Sequence, residues 1–185
     1  MPSSTSSDVS GDSSSGAEYL ALMAEVEGDR ERACRHTAEL VGEAGPGSDG
    51  VMASWKSMLA RDLFYLDRFD EAEPLLEEAR AVGWGPVERT LVPAVDALFL
   101  ARVGELAQAE ERARAAVVTA ETETDNVWLQ GWSNEDLAMV LERAGRIEEA
   151  RQALGRALAV WEQKRCLPFM SRVSQQLNSL GRAQV

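Results

Sequence analysis

Eight alanines stand in a single register along this chain. Four turn-like sites, VEGDRERA, YLDRFDEA, RVGELAQA and RAGRIEEA, centre on Gly28, Asp67, Gly104 and Gly145, at intervals of 39, 37 and 41 residues. Five residues after each turn comes Ala33, Ala72, Ala109 or Ala150; seven residues before it comes Ala21, Ala60, Ala97 or Ala138. Two antiparallel helices joined by a tight turn approach closely only where their crossing carries a small side chain on each partner. Alanine supplies that and keeps helix propensity, whereas a bulky residue there would overpack by roughly 1–3 kcal/mol. The pattern predicts repeated helix pairs and an all-α fold.

The register continues less strictly along each second helix, at Thr37/Leu40, Leu76/Ala79, Ala113/Ala116 and Leu154/Ala157. The residue before the first alanine of each unit is Leu20, Leu59, Asp96 or Leu137, three core-type side chains and one exception. The later units carry Leu63, Leu100 and Leu141 where the first has Ala24, which makes the first unit the weakest copy. Acidic residues open the second helices (Asp70 and Glu71, Glu105, Glu148 and Glu149), at the positive end of the helix dipole.

Units are expected over 17–42, 51–82, 86–121 and 126–164. A final helix over 168–181 carries Phe169, Val173, Leu177 and Leu180 on one face and Ser, Gln and Asn elsewhere. That is how the last exposed edge of a stacked array is capped. Residues 1–16, with eight serines and little apolar surface, are expected to be a disordered tail. A second polar break is expected at Gly42–Gly50.

Composition bounds the function. The net charge of −12 disfavours a phosphate backbone or an anionic membrane as partner. No stretch approaches the ~18 apolar residues of a membrane-spanning helix, and the N-terminus has no signal-peptide pattern. Two cysteines far apart, Cys34 and Cys166, make no disulfide framework, so the expected setting is the cytoplasm with reduced thiols.

Small residues at both crossing positions, a glycine-type turn and the G-x-x-x-x-A step resemble the tetratricopeptide repeat, whose usual length of ~34 residues is exceeded here. Asp125–Lys164 carries the likeness best. It looks like the repeat arrays near the C-termini of large bacterial regulators with ATPase or nucleotide-cyclase domains, although this chain has no Walker A or cyclase pattern. The resemblance implies a right-handed superhelix of about four helix pairs plus a capping helix. It also implies a protein- or peptide-binding scaffold in bacterial signalling or transcriptional regulation, without cofactor or metal. A sensor taking a small molecule or short signalling peptide in its groove is the alternative.

Chemistry is sparse. His36, the one histidine, lies two residues after Cys34 on a predicted helix, so the two point apart and do not converge on a metal. No G-x-S-x-G, H-E-x-x-H or phosphate-loop pattern occurs, and the glutamate pairs follow polar helix faces. The chain is therefore expected not to be an enzyme. By the resemblance, first helices line an inner groove, which here includes Leu22, Val26, Arg61, Phe64, Tyr65, Leu98, Arg102, Trp132, Met139 and Arg143. Arginine with aromatics suits an acidic peptide or carboxylate, while Phe64 and Trp132 also fit an inter-repeat core, and Arg102 and Arg143 also fit pairing with nearby glutamates. The lysine–asparagine pattern that clamps a C-terminal carboxylate in some tetratricopeptide proteins is not reproduced. Trp128 and Trp132, four apart, share a helix face and are expected to pack between the third and fourth units.

Overall fold

A computed structural model describes residues 13–43, 49–82 and 85–182. Among these the chain forms nine α-helices and no strand: α1 (Ser13–Glu27), α2 (Arg30–Glu43), α3 (Asp49–Tyr65), α4 (Phe69–Arg80), α5 (Glu88–Arg102), α6 (Leu106–Glu123), α7 (Val127–Arg143), α8 (Ile147–Lys164) and α9 (Leu167–Arg182). The fold is an all-α helical repeat of four pairs and a ninth helix. Most of the expected tail lies outside the described residues, but its last part does not. From Ser13 the chain is already α1, because the helix-forming stretch from Ala17 propagates back over serines that it would not nucleate alone.

The turns explain the register. Gly28, Asp67, Gly104 and Gly145 all adopt the left-handed conformation, at φ of 78°, 58°, 89° and 72°. In each case the next residue donates its backbone N–H five residues back, from Asp29, Arg68, Glu105 and Arg146 to the carbonyls of Ala24, Leu63, Leu100 and Leu141, all at 2.9 Å. This Schellman arrangement satisfies carbonyls that a helix end leaves open. Arg165 repeats it between α8 and α9, at φ 56°, with Cys166 N–H reaching Trp161 O at 3.0 Å.

All eight crossing alanines are buried, the most accessible of them, Ala138, at 3%. The secondary register is buried as well, from Thr37 and Leu40 to Leu154 and Ala157. A fully buried leucine such as Leu76 or Leu98 contributes about 1.5–3 kcal/mol, so this core is what holds the pairs together.

Two positions before the first alanine depart from the expected core character. Leu20 is 49% exposed, because no helix precedes α1 among the described residues to cover it. Asp96 is buried, and its carboxylate accepts from Arg80 Nε at 2.8 Å and pairs with Arg112 Nη1 at 2.7 Å. It thereby ties α5 to α4 and α6. The exception in the sequence pattern is an electrostatic joint between units.

α3, α5 and α7 stand side by side, while α1 packs on α2 and also reaches α9. α9 buries Phe169, Val173 and Leu180 and leaves Ser171, Gln175, Gln176 and Asn178 to solvent, as a capping helix should.

Candidate functional site

The inner face divides along the helix axes into a polar half and an apolar half. The polar half centres on Arg61 of α3. Its guanidinium forks onto Asp136 of α7, with Nε at 3.1 Å from Oδ1 and 2.9 Å from Oδ2, and Nη2 at 2.9 Å from Oδ1. The two side chains are 3% and 1% exposed. Burial opposes the charge on Arg61, but Asp136 outweighs it and holds the guanidinium protonated well above the ordinary range. Tyr65 donates its hydroxyl to Asp136 Oδ1 at 2.6 Å, and burial, reinforced by that carboxylate, pushes its phenol well up. Arg30 stacks on the Tyr65 ring, 4.2 Å from its centroid.

Beside Arg61 lie two buried carboxyl groups, Glu25 of α1 and Asp62 of α3. Burial and the neighbouring Glu25 carboxylate push Asp62 well up, despite Arg30 Nη1 at 3.4 Å. Glu25, despite its burial, is held below the ordinary carboxylate range by Asp62 and the arginines around it. Burial, with Asp62 next, also pushes the Cys34 thiol up to about 12, which leaves it protonated and inert. His36 instead meets Glu39, at 3.2 Å.

Glu135, next to Asp136, points to the other side of α7. It accepts the Trp161 indole N–H at 2.9 Å and Arg172 Nη2 of α9 at 2.9 and 2.8 Å. Trp161 stacks on Phe169, with centroids 4.6 Å apart, and Trp128 leans on both. Besides Trp132 on its own helix, at 5.9 Å, the aromatic partners of Trp128 belong to α8 and α9. The expected wedge between the third and fourth units becomes a clasp between the fourth pair and the ninth helix.

The apolar half is open. A cleft of about 370 Å³ lies among the N-terminal parts of the first helices, lined by Glu18 and Leu22 of α1, Val51, Ser54, Trp55 and Met58 of α3, Val87 and Glu88 at α5, and Asn126, Trp128, Leu129 and Trp132 at α7. Met58 and Trp132 form the boundary with the polar half, where they meet Glu25, Arg61 and Asp62. The buried Trp132 Nε1 has no hydrogen-bond partner among the described residues. Glu88, 8% exposed, is held by neutral donors: the Ser54 hydroxyl on Oε1 and the Gly85 N–H on Oε2 at 2.8 Å.

Of the groove residues expected from the sequence, Leu22 and Trp132 line this cleft. Arg61 and Tyr65 lie in the adjoining network and are already paired, so Arg61 is not a free groove cation. Phe64 and Leu98 are core; Phe64 packs edge-on against Tyr65, Phe69 and Phe99. Val26 and Met139 pack against that core. Arg102 and Arg143 are exposed at the turn ends of their helices, Arg102 stacked over Phe69 at 3.9 Å. The other ten residues of the lining were not among the expected groove residues, Trp55, Met58, Glu88 and Trp128 among them. A helical face read backwards from Arg61 in steps of three and four gives Met58, Ser54 and Val51, and from Trp132 it gives Trp128.

Among the described residues, no group of three or more His, Cys, Asp or Glu side chains gathers to hold a metal, and no helix is long and apolar enough to cross a membrane. The family model described as Tetratricopeptide repeat matches residues 52–83 and 135–164. The match supports a tetratricopeptide-repeat protein. The two matched segments cover the α3–α4 pair and the latter part of α7 with α8. Tetratricopeptide repeats form a non-catalytic scaffold fold that generally serves in protein–protein interaction. No curated relative matches the chain.

Proposed function

We propose that this tetratricopeptide-repeat chain is a non-enzymatic scaffold that holds a protein or peptide partner in the tryptophan-lined cleft. The observation that carries the reading is the cleft itself. Its volume of about 370 Å³ falls in the range of pre-formed binding sites. Three tryptophans, a methionine and aliphatic side chains line it, the composition of an interaction hot spot. The bacterial cytoplasm and a role in signalling or transcriptional regulation extend this proposal on the sequence resemblance alone.

The size of the cleft also favours a second reading, a sensor for a small molecule or a short signalling peptide. α1 contributes to the cleft and touches α9, so an occupant there acts on the contact between the first and last helices.

The test is peptide selection from a random library on the full chain, with affinities then measured on purified variants. Trp55→Ala should abolish binding of the selected peptides and Trp55→Phe should largely restore it, with thermal melts confirming the fold. Peptides that bind Trp55→Ala undiminished would remove the cleft from the function. Native mass spectrometry of the purified protein separates the two readings, since a retained small ligand favours the sensor.

A further inference from the structure

We infer that the cleft selects a basic segment of its protein partner, seating a lysine or arginine flanked by apolar residues. The inference rests on the cleft being the binding site, and it reverses the acidic partner expected from the sequence. That expectation needed free arginines on the inner face. Arg61 is instead neutralised by Asp136 inside the fold, and Arg102 and Arg143 stand at the turn ends of the helices, away from the cleft.

What the cleft presents is the opposite polarity. Its lining includes two carboxylates, Glu18 and Glu88, and no lysine or arginine. Glu88 is the more informative. A carboxylate 8% exposed is ordinarily paired with a cation. Here its donors are a hydroxyl and a backbone N–H, and no lysine or arginine pairs with Glu88 among the described residues. Nearby basic side chains are engaged elsewhere, Lys56 with Glu78 and Arg89 with Glu123.

The rest of the lining suits the same guest. Indole faces attract a guanidinium or ammonium group while their edges hold its methylene stem. The chain itself makes such a contact, with Arg61 stacked 5.4 Å from the Trp132 ring centroid at the cleft boundary. The net charge of −12 adds a long-range field that steers a basic segment inward.

Peptides selected as above are sequenced and their affinities measured against wild type, Glu18→Lys and Glu88→Gln at low and moderate salt. Glu18 is exposed, so Glu18→Lys tests charge without risk to the fold; a melt checks Glu88→Gln. The expected result is enrichment of lysine or arginine beside apolar residues. Each variant should weaken binding by about threefold to tenfold, and added salt should weaken it further. Peptides that depend on Trp55 but show no basic enrichment, or that bind Glu18→Lys and Glu88→Gln unchanged, overturn this inference and leave the cleft standing. A library that yields no Trp55-dependent peptide overturns both. Benzyltrimethylammonium that binds wild type as tightly as the peptides would reassign the cleft to a free organic cation and refute the protein partner.

Discussion

Gly131 sits in the middle of α7, where replacing glycine by alanine would ordinarily stabilise a helix by about 1 kcal/mol. Here the opposite is expected. A Cβ built on Gly131 would lie 2.1 Å from Trp161 Cζ2, 2.5 Å from Cη2 and 2.6 Å from Cε2, whereas ordinary contact begins near 3.4 Å. The indole would have to retreat by more than an ångström, and it has nowhere to go. It is fully buried, stacked on Phe169, and its N–H is committed to Glu135. Overpacking costs about 1–3 kcal/mol, and loosening a hydrogen bond to a carboxylate adds roughly 1.5–3 kcal/mol. Set against the helix gain, Gly131→Ala should destabilise by about 1.5–5 kcal/mol, which lowers Tm by roughly 3–20 °C in a chain of this size. Circular dichroism melts at 222 nm read the loss, and near-ultraviolet signals report the displaced tryptophan. The same substitution in a Trp161→Leu background should be neutral or stabilising. A single variant that melts at or above wild type would refute the close approach of α7 and α8.

Arg61→Ala should cost about 3–5 kcal/mol by leaving Asp136 buried without its partner, and Arg61→Ala/Asp136→Ala should recover part of it; equal melts for wild type and Arg61→Ala would show that the pair does not hold α3 to α7. Asp67 is, with Arg165, one of two turn residues other than glycine at positive φ among the described residues, so Asp67→Gly should raise Tm by a degree or two, about 0.5 kcal/mol, and Asp67→Ala should lower it; a rise with alanine as large as with glycine would contradict the left-handed turn. The pH dependence of Asp62 has a defined sign. Its folded pKa is raised, so its contribution to stability is full below the unfolded value near 4 and is lost as pH climbs towards the folded value, by up to about 1.4 kcal/mol per unit. Asp62→Asn avoids that loss, and its Tm relative to wild type should increase from pH 5 to pH 8; a flat difference would mean that Asp62 is ionised throughout.

The helix pairs were legible because they are enforced locally. A turn glycine, an alanine five residues on and another seven residues back all act within one pair, and each repeats, so chance agreement at one site is exposed by the others. The cleft was less legible because its residues are defined by neighbours far along the chain. Arg61 reads as a groove arginine until Asp136, 75 residues away, is known to face it. Ser133, Asn134, Glu135 and Asp136 are four consecutive polar residues of α7, yet all four are buried. Asn134 accepts from Arg156, Glu135 from Trp161 and Arg172, and Asp136 from Arg61 and Tyr65. Periodicity shows which residues share a face, but not what stands opposite that face.

The two halves of the inner face are physically linked through those pairings. Met58 and Trp132 belong to both, and the Arg61–Asp136 fork, together with the Tyr65 hydroxyl, fixes the distance between α3 and α7 one turn below the cleft. A buried bidentate pair is a poor source of net stability, since well-packed apolar residues of the same volume do as well. It does impose one geometry, because both charges must stay paired. The walls carrying Trp55 and Trp132 are then held apart before any occupant arrives, and binding does not have to meet the entropic cost of ordering them. The arginine read from the sequence as a groove contact is, in the fold, a strut that sets the spacing of the residues lining the cleft.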